Sequence, residues 1–369
     1  MVADSDRDAN MLYAVKLFVP DPFIYLRMNG KCHIVMSDLE IDRARGQARH
    51  CRTLSLSQTQ RRLQLDGVKR PGFAQVIRLL LRSRRIKKVV VPHSFPLGLA
   101  SELRKLGLKL KLSTGAFFPD RELKSAEEIK KISAALMMAE VGLAEGIQAI
   151  KTAKANRSRR LIYHHVPLTS EKLRGIIDTA IVQAGGLANH TIVAGGVQGC
   201  DPHEPGHGVL RANEPIILDV FPRSQKTGYF GDITRTVVKG RASEALRKMY
   251  HTVERGQEIA FEKLRHQVPA REAHEQVQKF FAREGYKSGR INGRMQGFFH
   301  GTGHGLGLDI HEAPSLGSAS LDLLRSGHVV TVEPGLYYPE LGGVRLEDVA
   351  QITRRAPRNL TKFEKVLEI

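Results

Sequence analysis

The chain has 369 residues, 41% of them hydrophobic, and a formal net charge of +19. It exceeds the length at which one hydrophobic core usually stops growing, so two domains are expected, and no apolar run approaches the roughly 20 residues that span a bilayer. Three widely spaced cysteines, Cys32, Cys51 and Cys200, argue against a disulfide framework and for a reducing compartment; with no apolar leader in MVADSDRDANMLYAVKLF, a cytoplasmic protein is expected.

The positive charge reads as dispersed. One cluster is Arg82, Arg84, Arg85, Lys87 and Lys88, another is Arg157, Arg159 and Arg160, and the chain contains no Trp. Without aromatic residues interleaved among the cations there is no stacking platform for single strands, so a basic solvated surface is expected and nucleic acid is not.

In chain order, FIYLRMNGKCHIVMS places Asn29-Gly30 between two apolar runs, a hairpin signal because both residues tolerate positive φ. KKVVVP reads as a buried strand, residues 97–106 as a helix and LKLKLS as a strand, together a crossover unit in a small α/β domain. After Phe117-Phe118-Pro119-Asp120 the texture changes. Ile129, Ile132, Leu136, Leu143, Ile147 and Ile150 recur at helical spacing, so residues 1–120 and 121–369 are read as separate domains.

The second domain repeats itself. Helices over 125–153 and 168–184 precede PIILDVF and YFGDITRTVV; helices over 244–264 and 270–284 precede HVVTVEPGLYY and GGVRLEDVAQI. Each strand pair carries one acid per arm, Asp219 with Asp232 and Glu333 with Glu347. A duplicated ααββ unit would converge four carboxylates on an inner face, where burial is costly unless a metal neutralises them. Period-two alternation puts Asp232 on the face of Thr234 and Thr236, but does not choose between Glu347 and Asp348.

FFHGTGHGLGLDIHEAP, residues 298–314, adds three histidines among glycines. His304 lies between Gly303 and Gly305, whose missing Cβ atoms permit close approach. A helical HxxxH reading of His300 and His304 fails on Gly301 and Gly303. The paired His164 and His165 read as loop or surface residues.

Taken together, DITRT, GTGHGLGLDIHEAP, VEPGLYY and GGVRLED resemble the pita-bread metallopeptidases, in the Xaa-Pro aminopeptidase and prolidase branch. The resemblance implies an α+β protein: a C-terminal catalytic domain of duplicated ααββ units and a smaller creatinase-type N-terminal α/β domain. By matching to the family's motifs, Asp219, Asp232, His304, Glu333 and Glu347 are the metal ligands, with Glu347 favoured by the R-x-E pattern that begins at Arg345. Glu333, His203 and His311 are the implied catalytic residues, with His207 a rival for His203. Arg345 and Tyr337 are implied substrate-binding or supporting residues.

Two divalent ions are implied, Mn²⁺ before Co²⁺ or Zn²⁺, and they would generate a bridging hydroxide as nucleophile. The expected activity is hydrolysis of N-terminal peptide bonds, Xaa-Pro in particular, in peptides or dipeptides, by a homodimer. The alternative is a non-catalytic protein of this fold that holds nucleic acid or an acidic partner. The stretch Asp219-Val220-Phe221-Pro222-Arg223 departs from the family's Asp-x-Gly, placing Phe221 and Arg223 where small residues are usual near the substrate entrance.

Overall fold

The computed structural model describes residues 1–369, which divide into two compact units, Met1–Arg121 and Glu122–Ile369. No helix is long and apolar enough to cross a membrane.

In the first unit Phe23–Met28 and Lys31–Met36 form the hairpin signalled by Asn29-Gly30, with φ of 50° and 76° at the turn. These strands centre a four-stranded sheet, with Val2–Ala3 antiparallel on one side and Cys51–Ser55 parallel on the other. Lys88–Val91 and Lys109–Leu112 are a parallel pair joined by the helix Leu97–Lys105, the expected crossover. The reading of KKVVVP as buried is corrected: Val90 is 57% exposed, because only alternate residues of this two-stranded pair face the apolar cluster.

Two further expectations change here. Cys32 and Cys51 lie opposite each other in parallel register, their Cα atoms 4.6 Å apart, and are joined by a disulfide. The cysteine argument for a reducing compartment therefore loses its premise. Nor is the charge dispersed: residues 61–111 hold fourteen Lys and Arg against two acids, Asp66 and Glu102.

The second unit contains two helix pairs, Ala126–Thr152 with Ser170–Gln183 and Glu244–Lys263 with Arg271–Arg283. Ser125 starts the first helix with a capping box: the Glu128 carboxylate accepts from Ser125 N at 2.9 Å while Ser125 Oγ accepts from Glu128 N at 3.3 Å. Both pairs pack through glycine. A Cβ on Gly146 would lie 2.7 Å from Ile177, and one on Gly256 would lie 2.5 Å from Phe281.

Against these helices lie a three-stranded sheet, Ile192–Gly195, Pro215–Val220 and Ile233–Val238, and a five-stranded sheet that includes His304–Gly305, Val329–Val332 and Asp348–Gln351. Val253, Phe281, Phe298, Val330, Val332 and Leu346 share one buried apolar cluster, each such side chain contributing about 1.5–3 kcal/mol on burial. The second long strand pair does not run through. It breaks at Pro334 and Leu346, and beyond the break Gly335–Tyr338 and Gly342–Arg345 pair as a separate hairpin.

Candidate metal centre

Those breaks position the acids. Asp219 pairs with Thr234 inside the first sheet, and Asp232 directly precedes the strand Ile233–Val238. Val332 pairs with Asp348, so Glu333 and Glu347 sit one step beyond the end of that ladder, where the chains splay. Glu347 N donates to Thr234 O at 3.1 Å and ties the two acid-bearing regions together. The glycines around His304 are required by packing: a Cβ on Gly303 would lie 1.9 Å from Thr331 O, and one on Gly305 would lie 2.3 Å from Ala313 O.

Asp219, Asp232, His304, Glu333 and Glu347 all line one cavity of about 610 Å³, together with His203, His311 and Arg345. His304 Nε2 is 3.3 Å from Glu333 Oε1 and 3.7 Å from Asp232 Oδ2. One ligand atom each of Asp232, His304 and Glu347 falls within 4.8 Å of the others. Arg345 Nη2 donates to Asp219 Oδ2 at 2.7 Å, and Thr234 Oγ1 donates to Glu347 Oε2 at 2.7 Å.

This clustering strains the ionisation of the acids. Burial, reinforced by repulsion from Glu347, Asp219 and Glu333, pushes the Asp232 carboxyl well above its usual range. Burial and repulsion from Glu333 and Asp219 do the same to Glu347, and burial lifts Glu333 to about 7 against the pull of Arg345. Burial lowers His304, keeping the imidazole neutral and able to donate a lone pair to a cation. Asp219 Oδ1 and Glu347 Oε1 are buried with no hydrogen-bond partner. Four converging carboxylates, two orphaned oxygens and one neutral imidazole fit divalent metal, which would satisfy both the charge and the lone pairs.

The other residues singled out in the sequence separate. His203 and His311 are exposed on the cavity wall, and the His311 ring lies 4.3 Å from that of His304, centroid to centroid. His207 is bonded to Gln198 and is not on the wall. Tyr337 is fully buried behind the site: its hydroxyl bonds His300 Nε2 at 2.8 Å and accepts from Arg345 Nη1 at 3.0 Å, and it does not line the cavity. Phe221 is on the wall, whereas Arg223 Nε donates to the Gly228 carbonyl. His164 and His165 are exposed in left-handed backbone, as a loop reading requires.

Two supporting residues escaped the sequence reading. Thr331 Oγ1 approaches Glu333 Oε1 at 3.3 Å, the counterpart of the bond from Thr234 to Glu347. Arg235 is buried and donates to the Glu347 carbonyl at 2.6 Å and to Asp348 Oδ1 at 2.8 Å. The signal was available in DITRT and VTVEPG, where a hydroxyl or guanidinium stands two or three residues from an acid.

Fold and site together define a metallopeptidase, a hydrolase that uses divalent metal. The chain belongs to metallopeptidase family M24, which matches residues 130–354. It is 30% identical over 285 residues to the Xaa-Pro dipeptidase of Pyrococcus horikoshii, covering 76% of this chain and 75% of that protein. An Xaa-Pro dipeptidase from Bacillus anthracis superposes with a TM-score of 0.83 at 23% identity, over 98% of this chain and 93% of that one. The X-Pro aminopeptidase of Thermotoga maritima superposes with a TM-score of 0.82 at 20% identity, over 100% and 97%. The architecture is thus the pita-bread fold of the prolidases.

Proposed function

We propose that the protein is a dinuclear metallo-exopeptidase cleaving N-terminal peptide bonds, Xaa-Pro in particular. The single observation that carries this reading is the convergence of four carboxylates and His304 on one cavity. Asp219, Asp232 and Glu347 would hold one ion, and Asp232, Glu347, His304 and Glu333 the other. An oxygen-rich set with one imidazole suits Mn²⁺. When bound, the ions would neutralise the carboxylates and lower the pKa of a water for attack on the peptide carbonyl.

The remaining work falls to the chain. The Glu333 carboxylate, on the cavity wall with Oε1 3.3 Å from His304 Nε2, is suited to take a proton from the attacking water and pass it to the leaving amine. His203 and His311, on the wall beside the cluster, are suited to hydrogen-bond the substrate carbonyl as it gains negative charge. Ile192, Phe221, Phe299 and Ile310 give the same cavity apolar surface for a proline ring. Similarity to the Xaa-Pro dipeptidase of Pyrococcus horikoshii and the X-Pro aminopeptidase of Thermotoga maritima supports an Xaa-Pro substrate.

The test is a panel of Xaa-Pro dipeptides, Xaa-Pro-Yaa tripeptides and proline-free controls, with metal-loaded and chelated enzyme. Cleavage of the Xaa-Pro bond only when metal is present supports the reading. Equal cleavage of proline-free controls would remove the proline specificity, and cleavage that survives chelation would remove the metal.

A further inference from the structure

A second built feature lies in the first unit, in the disulfide and what surrounds it. Arg27, Cys32 and Cys51 stand side by side on three adjacent strands, Arg27 opposite Cys32 and Cys32 opposite Cys51. Paired residues in neighbouring strands point to the same face about 5 Å apart, so the guanidinium stem and both sulfurs share one face. At the open end of that face is a basin of about 540 Å³ whose wall includes Arg27, Lys31, Arg49, His50 and Arg52 with both cysteines, and no carboxylate. All five basic side chains are exposed, and no carboxylate pairs with any of them; Arg49 Nε donates to the Gly46 carbonyl and His50 Nε2 bonds the Ala14 carbonyl.

Four permanent cations around a disulfide do two things. They stabilise whichever sulfur leaves as a thiolate, and they concentrate anions at the basin. The two sulfurs differ in access, since Cys32 is partly exposed and Cys51 is 7% exposed. Cys200 is the contrast, a buried free thiol that burial pushes up to about 11 despite the pull of Arg294.

We propose that this basin is a thiol–disulfide exchange site for a negatively charged low-molecular-weight thiol. The incoming thiolate forms a bond to Cys32 Sγ as the Cys32–Cys51 bond breaks, and its electron pair leaves on Cys51 Sγ, which is protonated from water. A second thiolate attacks the bound thiol's sulfur, releasing Cys32 as thiolate and the external thiol as its symmetrical disulfide. Two thiols are oxidised and one disulfide is reduced. The metal centre takes no part.

The test uses the intact protein with mercaptoethanesulfonate, mercaptoethanol and cysteamine as anionic, neutral and cationic probes, following reduction by alkylation and mass. After correction for thiolate fraction and nucleophilicity, the anionic probe should react roughly tenfold or more faster than the cationic one at low salt, and near 1 M salt should collapse the difference because screening is then nearly complete. Arg27→Gln with Arg52→Gln should shrink the preference. Cys51→Ser should capture the anionic probe on Cys32 from its oxidised form, and Cys32→Ser should not capture it on Cys51. Rates that follow thiolate chemistry alone, a preference untouched by the double substitution, or cysteines that stay unpaired under an oxidant would each overturn the assignment.

Discussion

Arg345 reaches Asp219 from inside the core, Nη2 to Oδ2 at 2.7 Å, and is itself held by the buried hydroxyl of Tyr337. One carboxylate of the cluster is thus anchored by a guanidinium that the hairpin Gly335–Tyr338 and Gly342–Arg345 keeps in place. Tyr337→Phe would leave His300 Nε2 and one Arg345 donor unpaired. It should cost about 1–3 kcal/mol in denaturant unfolding while leaving KM for an Xaa-Pro substrate within about twofold of wild type. A tenfold rise in KM with unchanged stability would instead return Tyr337 to the substrate pocket.

Asp232→Asn removes a charge that burial and three neighbouring carboxylates oppose. Metal affinity should fall by more than the 10–100-fold typical of outer-shell substitutions, with loss of turnover. The chelated variant should melt higher than chelated wild type, because repulsion is relieved. Unchanged metal content would take Asp232 out of the site.

His311→Ala should separate binding of metal from turnover. Its ring touches His304 but stands exposed on the cavity wall, so both ions should remain while kcat falls about 10²–10³-fold, as when a donor to a developing oxyanion is lost. Metal loss in parallel with activity would make it a ligand or a prop for one.

The raised Glu333 carboxyl sets a pH dependence. Between about 4.5, its ordinary value, and about 7, the metal-free folded protein keeps a proton that the unfolded chain has released, so this group's contribution to stability declines as pH rises. Binding of metal needs the carboxylate, so in the metal-loaded protein the group stays ionised across this range, as it is in the unfolded chain, and its contribution does not decline. The rise in Tm on adding metal should therefore grow from about pH 5 to about pH 7.5 in calorimetry, with proton release on binding near the lower end. A pH-independent increment would mean that the acids are already ionised without metal.

Much of this was legible in the sequence because it is local. Helical periodicity marked the first helix pair, whose caps Ser125 and Thr169 the structure supplies, and Asn29-Gly30 marked a hairpin. The choice between Glu347 and Asp348 was not local. Asp348 is neutralised by Arg235 and Lys365 and accepts a hydrogen bond from Asn359, all from outside its own strand, and Glu347 is left to the cavity. The Cys32–Cys51 pairing was hidden for a similar reason: it depends on Lys31–Met36 and Cys51–Ser55 lying side by side after the helix Ile41–Gln47 returns the chain. The buried position of Tyr337 depends on the break at Pro334, where a continuous apolar run conceals two separate strands.

The proposed function requires that one cavity hold two divalent cations. Isothermal titration of chelated protein with Mn²⁺, checked by elemental analysis after desalting, reads the stoichiometry directly. Two ions per chain are predicted, falling to one or none in Asp232→Asn. One ion per chain in wild type, or two that persist in Asp232→Asn, would contradict the account.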